Sequence, residues 1–174
     1  EACGGKGLNQ SIAIARSGAE VYHVGAVGAD GEMLLGVLNQ SGVHTEGVKK
    51  LSGASGHAVI QVDQSGQNNI IICGGANDSV SKEMIDEAVK MVEEGDIVLL
   101  QNEISNVGYA AETAKKSGAK VALNPSPINE NLKTIPMDLV DYFILNEIEG
   151  KEISRAESEE PEEIMEKLKV TYPN

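Results

Sequence analysis

The sequence of 174 residues contains very few aromatic side chains: it has no Trp, one Phe and four Tyr. Any hydrophobic core must therefore be built mainly from Val, Ile, Leu, Ala and Met, within a hydrophobic fraction of 41%. Charged residues make up 24%, which is ordinary for a globular protein and argues against a disordered chain. The length is that of one domain with a sizeable core, and we expect a single domain over residues 1–174.

Basic residues are also scarce: 14 Lys and Arg stand against 27 Asp and Glu, which gives a net charge of −13. A nucleic-acid partner is therefore not expected, because binding to phosphates requires clusters of basic side chains. No apolar run approaches the roughly 20 residues of a membrane span, and there is no signal-peptide pattern. We expect a cytoplasmic protein that does not interact with membranes.

Cysteine and histidine do not form a metal-binding pattern. The two cysteines, Cys3 and Cys73, lack zinc-like spacing and are too few for a disulfide framework, so we expect reduced, structurally incidental thiols. The three histidines have no spacing that suggests a metal site or a catalytic dyad, and His23 lies inside a predicted strand.

The hydrophobic pattern alternates between helical and strand periods. Helices are predicted over "LNQSIAIARSG", "GEMLLGVLNQSG" and "NVGYAAETAKKSG", each of which ends at a glycine. Strands are predicted over "AEVYHVGAV", "DIVLLQ", "KVALNP" and "YFIL". The runs "DIVLLQ" and "KVALNP" have the composition of parallel strands buried on both faces. This alternation predicts an α/β fold of three layers, with a doubly wound and mostly parallel sheet. A final amphipathic helix is predicted after the acidic run near the carboxyl terminus.

One segment, at about residues 56–75, breaks this alternation. It reads "GHAVIQVDQSGQNNIIICGG" and contains two strand-like runs joined by Asp-Gln-Ser-Gly, which is typical of a β-hairpin. An antiparallel hairpin in a parallel α/β chain must lie outside the main sheet or at its edge. We expect a lid over a ligand or a dimer contact, and the alternative is an edge hairpin without a role.

The amino-terminal loop "GGKGLNQ" presents glycine backbone together with Lys6 and Asn9. It is not a Walker A phosphate loop, because the spacing differs and no hydroxyl residue follows the lysine. It also lacks the dinucleotide spacing after a strand, which disfavours a Rossmann dehydrogenase. The amine of Lys6 and the amide of Asn9 suit the vicinal hydroxyls of a sugar at least as well as a phosphate.

Two further polar positions have local structural interpretations. Asp30, in "GADGE", is predicted to serve a turn or a helix N-cap. Asn146 and Glu149, in "LNEIE", have the spacing of a capping box, in which each residue bonds the backbone of the other.

The segment "GGKGLNQSIAIARSGAEVYHVGAVG" resembles the amino-terminal signature of the ribokinase-like (PfkB) family of carbohydrate kinases. The resemblance continues through "GADGEMLLG", a hairpin that ends in "GGAN", and the runs "LLQNEI", "LNPSP" and "LNEIE". It implies the ribokinase-like fold with the hairpin as a lid. Within the family, members that phosphorylate ribose match best, on the Gly-Gly-Lys-Gly start, "GGAN" and "NPSP".

The resemblance implies ATP-dependent phosphorylation of D-ribose to ribose 5-phosphate. It implies that Gly5, Lys6 and Asn9 contact the sugar hydroxyls and that Glu103 accepts a hydrogen bond from another. Glu103 lies at the carboxyl end of a predicted strand, in agreement with the rule that ligands of open α/β sheets lie beyond the strand carboxyl ends.

The resemblance also implies the cofactors and the assembly of the protein. Asn146 and Glu149 match an Asn-x-x-Glu element that holds the water shell of Mg²⁺ on the ATP phosphates. Asn124, at the end of another predicted strand, has only a supporting role at the same carboxyl ends of the sheet. A monovalent cation such as K⁺ is a further candidate cofactor. The resemblance also implies a homodimer through the lid.

The sequence departs from the family in what it does not contain. There is no Gly-Ala-Gly-Asp motif, which supplies the aspartate base and the anion hole for phosphoryl transfer. The first strand, with its sugar-binding aspartate, is also missing. We therefore expect the middle portion of a longer kinase, with no catalytic residue of its own and no activity alone. The alternatives are another family member, such as a 1-phosphofructokinase-like enzyme, or a non-catalytic sugar-binding module.

Overall fold

The computed structural model describes residues 2–63 and 65–173. The α-helices are α1 (Lys6–Arg16), α2 (Glu32–Gln40), α3 (Lys82–Ala88), α4 (Val107–Lys116), α5 (Glu147–Ser154) and α6 (Pro161–Thr171). The strands are β1 (Tyr22–Val27), β2 (His44–Lys50), β3 (His57–Val62), β4 (Asn68–Cys73), β5 (Ile97–Gln101), β6 (Lys120–Asn124) and β7 (Tyr142–Phe143). Short 3-10 helices occupy Gly75–Ser79, Val89–Met91, Glu130–Thr134 and Met137–Leu139.

The chain divides into two compact units. The first runs up to Met84 and includes Glu103–Ser105, and the second contains Ile85–Asn102 and the chain from Asn106 onward. In the first unit, β1 and β2 pair in parallel. Its core is formed by Leu8, Leu38 and Val43, with partly buried aliphatic side chains packed around them.

Helix α1 carries the amino-terminal loop, and its sequence explains both its buried face and its end. Leu8, Ile12 and Ala15 recur at helical spacing, and all three belong to the core of the first unit. After Arg16 the chain leaves the helix through Gly18, which has a φ of +97° and donates its N–H to the carbonyl of Ala15. This is the glycine cap that the sequence predicts.

The predicted hairpin is confirmed as the antiparallel pair β3–β4, in register from His57 opposite Cys73 to Val62 opposite Asn68. The Asp63 carboxylate accepts hydrogen bonds from the backbone N–H groups of Ser65 and Gln67, which closes the turn. Gln64, the second residue of the predicted Asp-Gln-Ser-Gly turn, lies outside the described residues. All six side chains of β3 are exposed.

The second unit contains a parallel sheet in the order β5–β6–β7, and α4 packs against β5 and β6. The predicted parallel pairing is therefore confirmed. The prediction of burial on both faces holds for β6 but is wrong for the start of β5, where Ile97 is 61% exposed. Further along β5, Leu100 is buried. The "YFIL" strand is also shorter than predicted, since only Tyr142 and Phe143 pair with β6.

The observed elements confirm an α/β protein with parallel sheets and one antiparallel hairpin. The predicted carboxyl-terminal helix is α6, which begins with Pro161 after the acidic run, as expected from the preference of proline for the first helical turn. Among residues 2–63 and 65–173, no helix has the length and apolar character needed to cross a bilayer.

Candidate functional site

The amino-terminal loop enters α1 through Gly5, which adopts φ +107° and ψ 146° and accepts the N–H of Asn9 at its carbonyl. A residue with a side chain is strained at this φ, although no neighbouring atom lies within 4 Å of the position that a Cβ would occupy. Backbone conformation, and not crowding, therefore requires glycine here. Asn9 lies one helical turn further on and is exposed.

Lys6 and Glu103, which are 97 residues apart in sequence, meet at the amino terminus of α1. The Lys6 Nζ lies 2.7 Å from Glu103 Oε1, and the Lys6 backbone N–H donates to Glu103 Oε2 at 3.2 Å. The first N–H groups of a helix have no acceptor within the helix, and a carboxylate is favoured at this end of the helix dipole. Glu103 therefore caps α1 and neutralises Lys6 at the same time.

The Lys6–Glu103 pair is half-buried, with side-chain exposures of 35% and 27%. Each carboxylate oxygen of Glu103 has a further lone pair, and the ammonium of Lys6 has two further donors. The pair therefore presents an acceptor and a donor side by side to a ligand. This arrangement can bind neighbouring hydroxyl groups, one of which donates to Glu103 while the other accepts from Lys6.

Asn146 and Glu149 belong to the second unit, where they begin α5. The Asn146 side chain accepts the N–H of Glu149 at 2.8 Å, and Glu149 Oε2 accepts the N–H of Asn146 at 3.1 Å. The predicted capping box is therefore confirmed. Glu149 is buried, and its other oxygen, Oε1, makes no hydrogen bond to the part of the chain that the structure describes.

The remaining candidates have local partners. Asn124 Oδ1 accepts the N–H of Ser126 at 3.2 Å. His23 lies in β1, as predicted, where its Nδ1 is 2.8 Å from the hydroxyl oxygen of the buried Ser11, and burial lowers the pKa of the His23 ring. Within the described ranges, no group of three or more His, Cys, Asp or Glu side chains could hold a metal ion.

Asp30 lies in the turn before α2, as predicted, but its side chain does not cap that helix. Its Oδ1 accepts hydrogen bonds from both the hydroxyl and the N–H of Ser55, at 2.7 Å and 2.8 Å. The hydroxyl and then the N–H of Ser55 hold the pKa of Asp30 below its ordinary value. The acidic side chain therefore fastens the segment that leads into β3.

The sequence model of the family described as pfkB family carbohydrate kinase matches residues 1–172. The chain belongs to the pfkB family of carbohydrate kinases. It is 35% identical over 161 residues to a ribokinase from Haemophilus influenzae, covering 90% of this chain and 52% of that protein. A deoxyribokinase from Salmonella typhi is 36% identical over 152 residues, covering 84% of this chain and 50% of that protein.

A solved structure supports the same membership of the pfkB family. The ribokinase of Arabidopsis thaliana, complexed with ribose and ATP, superposes with a TM-score of 0.77 at 30% identity. The match covers 98% of this chain and 57% of that one. The predicted ribokinase-like fold is therefore confirmed. The chain spans about half the length of the curated relatives that it matches.

Three polar residues that the structure brings into prominence belong to no motif recognised in the sequence of this pfkB chain: Ser55, Asn102 and Ser105. Asn102 is buried, and its amide nitrogen donates to Pro127 O and Asn129 Oδ1. Its own Oδ1 has no hydrogen-bond partner within the described residues. An asparagine directly after the apolar strand β5 is the one local signal for this position. Ser55 and Ser105 lie in segments without a recognisable pattern.

Proposed function

We propose that this chain is the sugar-binding portion of an ATP-dependent kinase that converts D-ribose to ribose 5-phosphate. The observation that carries the proposal is the paired Lys6 and Glu103 at the glycine loop, at a contact of 2.7 Å. Gly5 and Asn9 lie within one turn of Lys6 on the same segment, and they complete the proposed set of sugar contacts. The names of the similar ribokinases support the choice of substrate.

The charge of the proposed sugar site favours a neutral substrate. Lys6 is already neutralised by Glu103, and the chain as a whole carries a net charge of −13. A phosphorylated sugar would require unpaired basic side chains around its phosphate. This argues against the alternative of a 1-phosphofructokinase-like activity.

Mg²⁺ and ATP are the proposed cofactors, with Asn146 and Glu149 as the residues of this chain that hold the metal's water shell. The fit rests on Glu149, because one of its oxygens serves the capping box while Oε1 is left for a bound water. Oxygen atoms suit Mg²⁺, which keeps several waters, and the metal held there would supply charge neutralisation to the ATP phosphates. A dependence on K⁺ is a further proposal. We also propose a cytoplasmic location.

The aspartate base and the anion hole are proposed to lie in sequence beyond this chain, since no Gly-Ala-Gly-Asp motif occurs in it. The 174-residue chain alone is therefore expected to have no kinase activity. Turnover of ATP by the isolated chain in the presence of ribose would contradict this expectation.

The decisive measurement is ADP release by the full-length protein that carries this sequence, with ribose, 2-deoxyribose and fructose 1-phosphate as acceptors. Ribose is expected to give the highest kcat/KM. Glu103→Gln removes the charge that accepts hydrogen bonds, and such bonds contribute about 1.5–3 kcal/mol, so kcat/KM for ribose should fall about 10- to 100-fold.

Glu112→Gln is the matched control, because Glu112 is an exposed glutamate on α4. It should leave kcat/KM within twofold of the wild type. A higher kcat/KM with fructose 1-phosphate than with ribose would overturn the substrate assignment. Sugar binding without ADP release from any acceptor would support the non-catalytic module instead.

A second candidate substrate is 2-deoxyribose, because the deoxyribokinase relative is as similar to this chain as the ribokinase relative. The two sugars differ by one hydroxyl group. If a residue of the site hydrogen-bonds that hydroxyl, the deoxy sugar leaves a partner unsatisfied and is rejected. The ratio of the two kcat/KM values decides between the candidates.

The proposed assembly is a homodimer through the β3–β4 hairpin. Large aliphatic side chains are exposed along both strands: Val59, Ile60, Val62, Ile70, Ile71 and Ile72. Apolar patches of this kind on a hairpin mark an interaction surface.

A further inference from the structure

Ser105 is held at both its backbone and its side chain by the 3-10 helix Gly75–Ser79. Its N–H donates to the carbonyl of Asn77 at 3.0 Å, and its hydroxyl donates to the carbonyl of Asp78 at 2.7 Å. Ser105 is half-buried and lies two residues after Glu103 in the same short segment of the first unit. The segment that carries Glu103 is therefore attached to the 3-10 helix that follows β4.

This 3-10 helix is in turn fixed to the segment that leads into β3. The N–H of Ala76 donates to the carbonyl of Ala54 at 3.0 Å. Gly75 has a φ of +52°, and a Cβ on it would lie 2.6 Å from that same carbonyl oxygen. Ser55, the next residue, is bound by Asp30. The anchor of Ser105 is therefore the fixed base of the hairpin, and not a free loop.

The contacts between the Glu103 carboxylate and Lys6 hold the carboxylate less firmly than the hydrogen bonds of Ser105 hold the segment. The Lys6 N–H is the first amide of α1, so it has no acceptor within the helix, and its acceptor in the described chain is Glu103 Oε2. Lys6 Nζ ends a long flexible side chain, which can follow the carboxylate if the carboxylate moves. The position of the Glu103 carboxylate therefore depends on how firmly the segment that carries it is held.

We propose that Ser105 is a positioning residue for Glu103: its hydroxyl fastens the Glu103–Ser105 segment to the base of the hairpin and so holds the carboxylate at the amino terminus of α1. Ser105 itself does not touch the ligand. Its consequence for sugar affinity rests on the proposed function, because only a site that binds sugar through Glu103 is weakened when Glu103 is less well held.

The test uses Ser105→Ala in the full-length protein, which removes the hydroxyl bond to Asp78 O and retains the N–H bond to Asn77 O. Ser105→Thr keeps a hydroxyl and is the rescue variant. Ser17→Ala is the matched control, because the Ser17 hydroxyl donates to the carbonyl of Ile14 at 2.7 Å, at the opposite end of α1. The readouts are amide hydrogen exchange of Lys6 without ligand and the dissociation constant for D-ribose.

In Ser105→Ala, exchange of the Lys6 amide should be about threefold or more faster, and the ribose dissociation constant about three- to tenfold higher. Ser105→Thr and Ser17→Ala should match the wild type in both readouts. Unchanged exchange at Lys6 in Ser105→Ala would overturn the proposal. Faster exchange with an unchanged ribose dissociation constant would also overturn it, provided that the wild type binds ribose.

A wild-type protein that binds no sugar would refute the proposed function and not the positioning role. The exchange of the Lys6 amide then decides the role of Ser105 alone, since that measurement needs no ligand. A general loss of structure is recognised by faster exchange throughout β1 and β2, which the positioning role does not predict.

Discussion

Strand β6 and the β3–β4 hairpin have similar aliphatic composition but opposite environments. Val121 and Leu123 of β6 are fully buried, whereas Ile60 and Val62 of β3 are 60% and 66% exposed. The difference lies in what covers each strand. Helix α4 packs on β6, and its apolar residues form a matching buried face, while all six side chains of β3 remain exposed. Composition therefore predicts a strand, and the connection between strands decides whether it is covered.

The largest expected effect on stability is in β6. Leu123→Ala removes most of a fully buried side chain and leaves a cavity, which should lower the free energy of unfolding by about 2–5 kcal/mol. Ile60→Ala in the hairpin should change it by less than about 0.5 kcal/mol, because exposed aliphatic groups lose little on truncation. Urea denaturation of both variants measures the difference. The measurement is made below the dimer dissociation constant, where equal losses would mean that the hairpin is covered within the monomer itself.

The next effect concerns Asp141, whose carboxylate accepts the N–H of Val121 and pairs with Lys115 Nζ at 2.9 Å. Burial by itself would raise the pKa of Asp141, but the hydrogen bonds from Lys115 and Val121 outweigh it, and the pKa lies below its ordinary value. Asp141→Asn should lower the free energy of unfolding by about 1–3 kcal/mol near pH 6.

The sign of the pH dependence follows from that lowered pKa. The stability that the ionised Asp141 contributes is complete above the unfolded value of about 3.9 and is lost as the pH falls through the lower folded value. The wild type and Asp141→Asn should therefore converge in stability as the pH falls below about 3.9. Asp63→Asn, in the hairpin turn, is the comparison, and it should cost less because Asp63 is exposed. A difference between wild type and Asp141→Asn that does not shrink with acid would contradict the role of the charge.

The smallest expected effect on stability is in the β3–β4 hairpin, where substitutions should change dimer formation and not the unfolding of the monomer. On one face of the hairpin Ile60 lies opposite Ile70, and on the other face Val59 lies opposite Ile71. The first face also carries Val62 and Ile72, so it offers more apolar surface to a second copy of the chain.

Ile60→Ser combined with Ile70→Ser should raise the dimer dissociation constant at least about tenfold and leave the unfolding of the monomer nearly unchanged. Val59→Ser with Ile71→Ser is the matched pair on the other face. Light scattering over a dilution series measures both. A stronger effect from the second pair would move the interface to the opposite face, and no dimer in the wild type would refute the proposed assembly.

The elements that the sequence predicts well are those with local signals. Helices α1, α2 and α4 each end at a glycine with positive φ, at Gly18, Gly42 and Gly118. A glycine after a helical pattern is a local signal, so the sequence predicts all three helix ends. No strand is predicted at His44–Lys50, because its charged residues hide the alternation. The exposure of Ile97 at the start of β5 is not predicted, because the covering of a strand depends on tertiary packing, which no local pattern carries.

The candidate site also contains features that a local pattern predicts and contacts between distant residues that no local pattern predicts. The capping box of Asn146 and Glu149 spans three residues, and its spacing alone predicts it. The resemblance brings Lys6 and Glu103 into one site, but it does not predict that Glu103 caps α1 through the Lys6 N–H. The anchoring of Ser105 was not predictable, because it depends on a hydroxyl and a carbonyl that are 27 residues apart.

The contact between Lys6 and Glu103 also affects hydration. Two isolated charges at this loop would each hold a tight shell of water, and a ligand would have to remove both shells. Because the charges neutralise each other before any ligand arrives, most of that dehydration takes place during folding. If the proposed function holds, a neutral polyol would then displace only the loosely held water on the remaining lone pairs and N–H groups. On this basis, its affinity should depend only weakly on ionic strength.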